Sequence, residues 1–204
     1  TRWGIRVAVG GSSSDWLGIS AGGIALVNSF IWSTDTPVFV FPAQLAGGSE
    51  KFVANAISHE VGHSLGLQHH GRVNPSQEYY AGHGSGDTGW APTMGNPYSR
   101  NLVQWSRGEY ANANNTNQDD ITRITWNGFG FRTDDHGNTQ PTAKPLTTAN
   151  NNLSAQGVIE TRNDVDIFSF TADAGQIDIS ANPAWRGASL DIFLELLDSS
   201  FTVI

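Results

Sequence analysis

The sequence predicts an α+β fold in which a mixed sheet and one long helix come first and a smaller all-β part follows. Three observations support this prediction. Apolar and β-branched runs separated by glycine-rich turns lie near the start, one helical apolar pattern follows them, and alternating apolar residues lie near the end. At 204 residues the chain is long enough for one large domain or two small ones.

The first part alternates between strand and helix patterns. Strands are predicted at residues 3–9, 23–27 and 38–41, where β-branched and aromatic residues are bounded by glycine or proline. Ser49 is a suitable N-cap for a helix that runs to about Leu65. The buried side of this helix is predicted to carry Phe52, Val53, Ala56 and Ile57.

The predicted helix ends in the most informative stretch of the chain, HEVGHSLGLQHH. A helix turns 100° per residue, so His59 and His63 project from one face and can hold one metal ion, with Glu60 within reach of a metal-bound water. Gly66 can adopt positive φ, end the helix and bring His69 round as a third nitrogen ligand. Three protein ligands with one open position are typical of a catalytic zinc site.

Three other residues compete for the third metal position. His70 would point away from His69 in an extended loop, because neighbouring side chains alternate, and is interpreted as a residue behind the ligands or at the surface. His83 lies in a glycine-rich loop and is expected at the surface or lining the cleft. Glu78 would be the ligand in a different group of H-E-x-x-H enzymes, but its position between a proline and a glycine-rich loop favours His69.

The long motif H-E-x-x-H-x-x-G-x-x-H resembles the signature of the metzincin zinc metalloproteases, over about residues 1–127. Such enzymes carry a methionine turn beneath the zinc, and the single methionine, Met94, lies in a stretch rich in proline and glycine. His70 matches none of the residues that mark metzincin subfamilies at its position. Asn96 stands where some metzincins have a tyrosine, so Tyr98 is the nearest candidate to line the cleft or donate to the oxyanion, with packing as the alternative.

The resemblance implies a zincin catalytic domain, built from a mixed sheet and an active-site helix. It implies that the earliest elements of that domain are missing here, since few residues precede the zinc helix. It also implies that substrate lies along an exposed strand edge by β-augmentation. The predicted edge consists of Gly23, Ile24, Ala25 and Leu26.

One further helix is predicted after the zinc motif. Thr116 and Asp119 have capping-box spacing, and Ile121 and Ile124 continue the pattern at i, i+3. Metzincins close their C-terminal subdomain with a helix of this kind.

Charge and composition change near residue 127. Residues 1–127 hold 7 basic and 9 acidic side chains, which gives a net charge of −2. Residues 128–204 hold 4 basic and 10 acidic side chains, which gives −6. Residues 128–146 are rich in Gly, Thr, Asp, Asn and Pro and are predicted to form a linker. We therefore expect one domain over residues 1–127 and another over residues 147–204.

The second domain is predicted to be a partial β-sandwich, because apolar residues alternate at 166–170, 176–180 and 189–196. Several short pieces resemble the pre-peptidase C-terminal domain of secreted bacterial proteases. Four aspartates are candidate oxygen ligands for calcium, with solvated turns as the alternative. These are Asp134, Asp135, Asp164 and Asp166.

Together these features predict a secreted bacterial zinc endopeptidase that acts on peptides or proteins, with one catalytic Zn²⁺ and Glu60 as general base. The net charge of −8 argues against nucleic acid as a partner, and no run approaches 18 apolar residues, so no membrane span is expected. Without cysteine, neither disulfides nor thiolate ligands are available. Two alternatives remain: a zinc hydrolase of non-peptide amides or esters, and an inactive or truncated zinc domain that serves adhesion or binding.

Overall fold

The computed structural model describes residues 4–149 and 152–204, which divide into two compact units. The first unit contains the chain up to Phe129 together with Pro183–Asp191. The second contains Gly130–Asn182 and Ile192–Ile204. No helix in the described residues is long and apolar enough to cross a membrane.

The first unit is a mixed α/β structure with small sheets, which agrees with the predicted α+β class. Its helices are α1 (Ser13–Leu17), α2 (Glu50–Ser64) and α3 (Asp120–Thr125). Its strands are β1 (Val7–Val9), β2 (Gly23–Ile24), β3 (Val38–Val40), β4 (Arg72–Val73), β5 (Ser76–Gln77), β6 (Trp90–Pro92) and β7 (Leu102–Gln104).

The largest sheet has the strand order β1-β3-β2 and lies against α2. Strand β1 runs parallel to β3, and β2 runs antiparallel to β3 with Gly23 opposite Val40. Val40 is fully buried with Leu45 and Ala56, and the half-buried residues Phe52, Val53 and Ile57 of α2 pack against them. A fully buried valine contributes about 1.5–3 kcal/mol, so this core holds α2 firmly on the sheet.

The predicted strands are present but shorter than expected. Only Gly23 and Ile24 of the expected edge are in a strand, and β2 forms one edge of the sheet. Ala25 and Leu26 leave the ladder because the chain turns toward Ser29–Ile31, a 3-10 turn. Of the strand expected at 3–9, residues 4–6 are not in a strand, and residue 3 lies outside the described residues.

The two predicted helices differ in accuracy. Helix α2 begins and ends within one residue of the prediction, although Ser49 makes no capping bond through its side chain. Helix α3 begins later than its predicted capping box, because the Asp119 carboxylate caps it by accepting from the Thr122 amide. The prediction of Thr116 as the cap was therefore wrong.

The second unit contains short paired strands within the described residues. These are β8 (Lys144–Pro145), β9 (Thr147–Ala149), β10 (Asn152–Ser154) and β11 (Phe168–Ser169). Strand β8 pairs with β11, and β9 pairs with β10.

The β-sandwich expected in the second part is not formed by the described residues. Residues 176–180 and 189–196 form no strand. An alternating pattern makes a stable strand only where a neighbour covers its apolar side. No described residue provides such cover, since Ile177 and Ile179 are each 46% exposed and Leu194 is 55% exposed.

Candidate metal centre

Helix α2, which packs against the sheet, carries His59, Glu60 and His63. All three side chains are buried, and the rings of His59 and His63 lie 4.8 Å apart between centroids. The amide of Asn28 donates to the carbonyl of His63 at 3.0 Å, which satisfies one of the free carbonyls at the helix end. The last helical turn is thus fixed in position by packing and by hydrogen bonds.

A glycine turn brings the third histidine to the same place. Gly66 has φ +96°, and a Cβ atom there would collide with the side chain of Asn28. The amide of Leu67 donates back to the carbonyl of Gly62 at 3.0 Å, which closes the turn. His69 then lies with its Nε2 3.0 Å from Nε2 of His63.

The three histidines form a convergent nitrogen cluster. One ring nitrogen from each of His59, His63 and His69 lies within 4.8 Å of the other two. Neither His70 nor His83 belongs to this cluster, and Glu78 contacts His69 instead of joining the nitrogens. The structure therefore brings together the three histidines that the sequence analysis selected.

Hydrogen bonds at Nδ1 fix the tautomers of these rings. Nδ1 of His59 lies 2.9 Å from the carbonyl of Thr93, and Nδ1 of His63 lies 2.8 Å from the carbonyl of Leu67. Nδ1 of His69 lies 3.1 Å from Oε1 of Glu78. Since each partner is an acceptor, each Nδ1 carries the proton and each Nε2 keeps its lone pair.

This arrangement fits a metal ion. In the neutral tautomers, the Nε2 lone pairs of His63 and His69 face each other at 3.0 Å and repel unless a cation lies between them. Two nitrogens on one tetrahedral zinc ion, at about 2.0–2.1 Å each, would lie roughly 3.3 Å apart. The observed spacing is close to that value, and all three donors are imidazole nitrogens, which suit zinc.

Burial keeps the three histidines in the neutral form that binds metals. It lowers the pKa of His59 to about 3, with a further lowering from the charge of neighbouring His63. Burial also lowers the pKa of His63 and of His69, although the Glu78 carboxylate opposes the shift at His69. At neutral pH no proton has to be displaced from Nε2 before a metal binds.

Glu60 lies beside the cluster in a dry environment. Removal from water raises its pKa to about 7, and a cation on the histidines would lower it, because opposite charge favours the carboxylate. Strand β2 passes directly over this side chain: a Cβ atom at Gly23 would lie 2.5 Å from Cγ of Glu60. Glycine at position 23 therefore leaves the space that Glu60 occupies.

Met94, the methionine proposed for the turn, packs against helix α2. It is fully buried, and a Cβ atom at Gly62 would lie 2.6 Å from its Sδ, so the two residues are in close contact. The preceding residue, Thr93, supplies the carbonyl that accepts from His59. The carbonyl of Met94 itself accepts from the amide of His70 at 2.9 Å.

Two tyrosines flank the site. Tyr98 packs on Phe52 with ring centroids 4.7 Å apart, and burial and the charge of Glu60 raise its pKa. The sequence analysis missed Tyr79, whose ring lies 4.3 Å from that of His69 and 6.2 Å from that of His59. No local pattern in the sequence signalled Tyr79, because it reaches His69 only where the chain folds back on itself.

His70 is a buried structural residue rather than a surface one. Its side chain and that of Asp120 are both fully buried, and Nε2 of His70 lies 3.0 Å from Oδ1 of Asp120. Gln118 and the amide of Ser106 donate to the same carboxylate. This contact connects the loop after the third histidine to α3.

His83 is exposed, as expected, and its Nδ1 lies 3.0 Å from the hydroxyl of Tyr80.

The four aspartates proposed for calcium come together in the second unit. Carboxylate oxygens of Asp134, Asp164 and Asp166 lie within 4.8 Å of one another, and Asp134 and Asp135 form a similar group with Glu160. The sequence analysis did not select Glu160. Burial and the neighbouring carboxylates raise the pKa of Glu160 and of Asp166. Calcium binding at this cluster stays a prediction.

The fold and the site define a metallopeptidase-like centre: three buried imidazoles converge on one point, and a glutamate from the same helix lies beside them. The sequence matches the family Peptidase M66 over residues 3–146, which is more than half of the chain. The chain therefore belongs to the Peptidase M66 family, a family of metallopeptidases. As a peptidase it acts on peptides or proteins. No curated protein and no solved structure matches the chain.

Proposed function

We propose that this chain is a zinc-dependent endopeptidase of the metzincin type. The single observation that carries the proposal is the convergence of His59, His63 and His69 beside the buried Glu60. Family membership, the glycine turn at Gly66 and the buried methionine packed against Gly62 support the same conclusion.

In this proposal the three histidines hold one Zn²⁺ through Nε2. Zinc bound there would polarise the substrate carbonyl and make an attacking water more acidic. Glu60 contacts the site without being a ligand, so it is free to accept the proton of that water and pass it to the leaving amine. The dry surroundings of Glu60 favour this role, because they make its carboxylate a stronger base than one in water.

The substrate would extend along strand β2. This strand is at the edge of the sheet, and its Gly23 lies against Glu60, so a peptide paired with this edge would pass close to the base. Tyr98 is proposed to line the same cleft, since its hydroxyl lies near Gly22 and its ring is close enough to Glu60 for the charges to interact.

We further propose that the protein is bacterial and works outside the cell. The support is the resemblance of the second part to the pre-peptidase C-terminal domain of secreted bacterial proteases. In this proposal residues 1–127 form the protease domain, and the acidic second part stabilises or attaches it without adding a zinc ligand. The three histidines and Glu60 all lie in the first unit, which supports that division.

The test is metal analysis coupled to cleavage of casein and of a small amide, with and without a chelator. The proposal expects about one zinc per chain, casein cleavage that chelation abolishes, and recovery when zinc is restored. Cleavage of the small amide alone would favour a zinc hydrolase of non-peptide amides. Zinc binding without any hydrolysis would favour an inactive zinc domain that serves binding or adhesion.

A further inference from the structure

The three candidate ligands differ in the group that accepts from Nδ1. His59 and His63 donate to the backbone carbonyls of Thr93 and Leu67, which are neutral. His69 donates to a carboxylate, that of Glu78. His69 is therefore the only one of the three candidate ligands whose Nδ1 partner is a side chain, so a single substitution can remove that partner.

A short hairpin delivers this carboxylate. Strands β4 and β5 pair antiparallel, with Arg72 opposite Gln77, and fold the chain back toward the histidine it has just left. The amide of Tyr80 then donates to the carbonyl of His70 at 2.8 Å, which fixes the end of the hairpin. A Cβ atom at Gly71 would collide with the backbone of the returning chain, so glycine permits this close approach.

Residues 78 and 79 contact His69 from two directions. Oε1 of Glu78 lies 3.1 Å from Nδ1, while the centroid of the Tyr79 ring lies 4.3 Å from that of the imidazole at an interplanar angle of 45°. These contacts hold an imidazole that lies outside the helix and has no helical backbone to fix it.

We propose that Glu78 is a positioning residue that fixes the tautomer and orientation of His69 and so strengthens metal binding at the cluster. A carboxylate that accepts from Nδ1 makes the opposite nitrogen a better electron-pair donor and prevents rotation of the ring. This inference rests on the proposed zinc site. It assigns to Glu78 a role different from direct ligation, because its Oε1 lies on the far side of the imidazole from Nε2.

The expected loss of zinc affinity depends on how exposed Glu78 is to water. Loss of an outer partner of a metal-ligating histidine typically weakens metal affinity about 10–100-fold. The side chain of Glu78 is 68% exposed, so water screens its charge, and a loss near the lower end, about 10-fold, is expected.

The test compares zinc affinities, measured by competition with a chromophoric chelator, for wild type, Glu78→Ala and Glu78→Gln. Glu195→Ala, which changes an exposed glutamate of the second unit, is the matched control. Glu78→Ala should bind zinc about 10-fold more weakly. Glu78→Gln should lose less, because its amide oxygen still accepts from Nδ1, and the control should match wild type.

A second readout separates positioning from a general structural role. In the zinc-loaded protein, the Nδ1 proton of His69 should be visible by NMR in wild type and lost or strongly shifted in Glu78→Ala. The Nδ1 protons of His59 and His63 should stay unchanged, because their acceptors are backbone carbonyls. Equal zinc affinity in wild type and Glu78→Ala would overturn the role of Glu78 alone. Failure of wild type to bind zinc would overturn the proposed zinc site and, with it, this inference.

Discussion

Replacement of Gly23 by alanine should disable Glu60 without touching a metal ligand. Gly23 lies on edge strand β2, and its position is distant in sequence from the zinc motif. A Cβ atom there would lie 2.5 Å from Cγ, 2.7 Å from Oε1 and 2.8 Å from Cδ of Glu60. Ordinary contacts of a Cβ atom begin at 3.4 Å, so the Glu60 side chain would have to retreat by about 1 Å.

The expected loss follows from that displacement. Misplacement of a reacting group by about 1 Å can cost about 10²-fold in rate. Some loss of stability is expected as well, because the nearest atom is Cγ of a buried side chain and not its flexible end. Zinc affinity should stay close to that of wild type, because Glu60 is not a ligand in the proposed site.

The assay is kcat for a peptide substrate, measured alongside zinc content and thermal unfolding. Gly4→Ala is the matched control, because a Cβ atom at Gly4 would meet nothing within 4 Å. We expect Gly23→Ala to lose about 10²-fold in kcat at full zinc occupancy, and Gly4→Ala to behave as wild type. Full activity in Gly23→Ala would refute the placement of Glu60 against β2. Loss of zinc together with activity would show that position 23 acts on the ligands instead.

Three further predictions concern the base, the ligands and the acidic cluster. Glu60→Gln should retain zinc and lower kcat by about 10²–10⁴-fold, and an unchanged kcat would exclude Glu60 as general base. His69→Ala should lose most of its zinc affinity in a chelator competition. His70→Ala should keep zinc when folded but lose about 1–3 kcal/mol of unfolding free energy in urea, because the buried Asp120 carboxylate loses one of its three hydrogen-bond partners; equal zinc loss in both variants would place His70 among the ligands. In EGTA, Asp164→Asn should have a higher Tm than wild type, because the variant relieves repulsion among carboxylates. Added calcium should raise the Tm of wild type more than that of Asp164→Asn. No effect of calcium on the Tm of wild type would reject the calcium hypothesis.

Local periodicity was sufficient to predict the part of the site that lies on one helix. His59 and His63 share a face because four residues span slightly more than one helical turn, and Gly66 signals where the chain must reverse. These features depend on residues close together in sequence. The same reasoning placed helix α2 within one residue at each end.

Contacts between distant segments could not be predicted in the same way. His70 is buried because Asp120, 50 residues later, accepts its hydrogen bond, and no local pattern signals that partner. Glu78 and Tyr79 reach His69 only because the intervening hairpin folds back, which the sequence analysis did not foresee.

The errors near the end of the chain have a similar origin. Alternation at residues 176–180 specifies which side chains would share a face of a strand, but a strand forms only where another element covers that face. Exposed Ile177 and Ile179 show that no described neighbour does so. The capping box predicted to begin at Thr116 is wrong as well, because Asp119, its expected partner, itself caps α3.

X-ray absorption at the zinc K-edge is the most direct test of the central claim, that His59, His63 and His69 form one zinc site through Nε2. Zinc-loaded wild type should show three nitrogen ligands at about 2.0–2.1 Å with one additional oxygen, and His63→Ala should lose a nitrogen ligand or the metal. A zinc environment dominated by carboxylate oxygens, or an unchanged spectrum in His63→Ala, would contradict the proposed site.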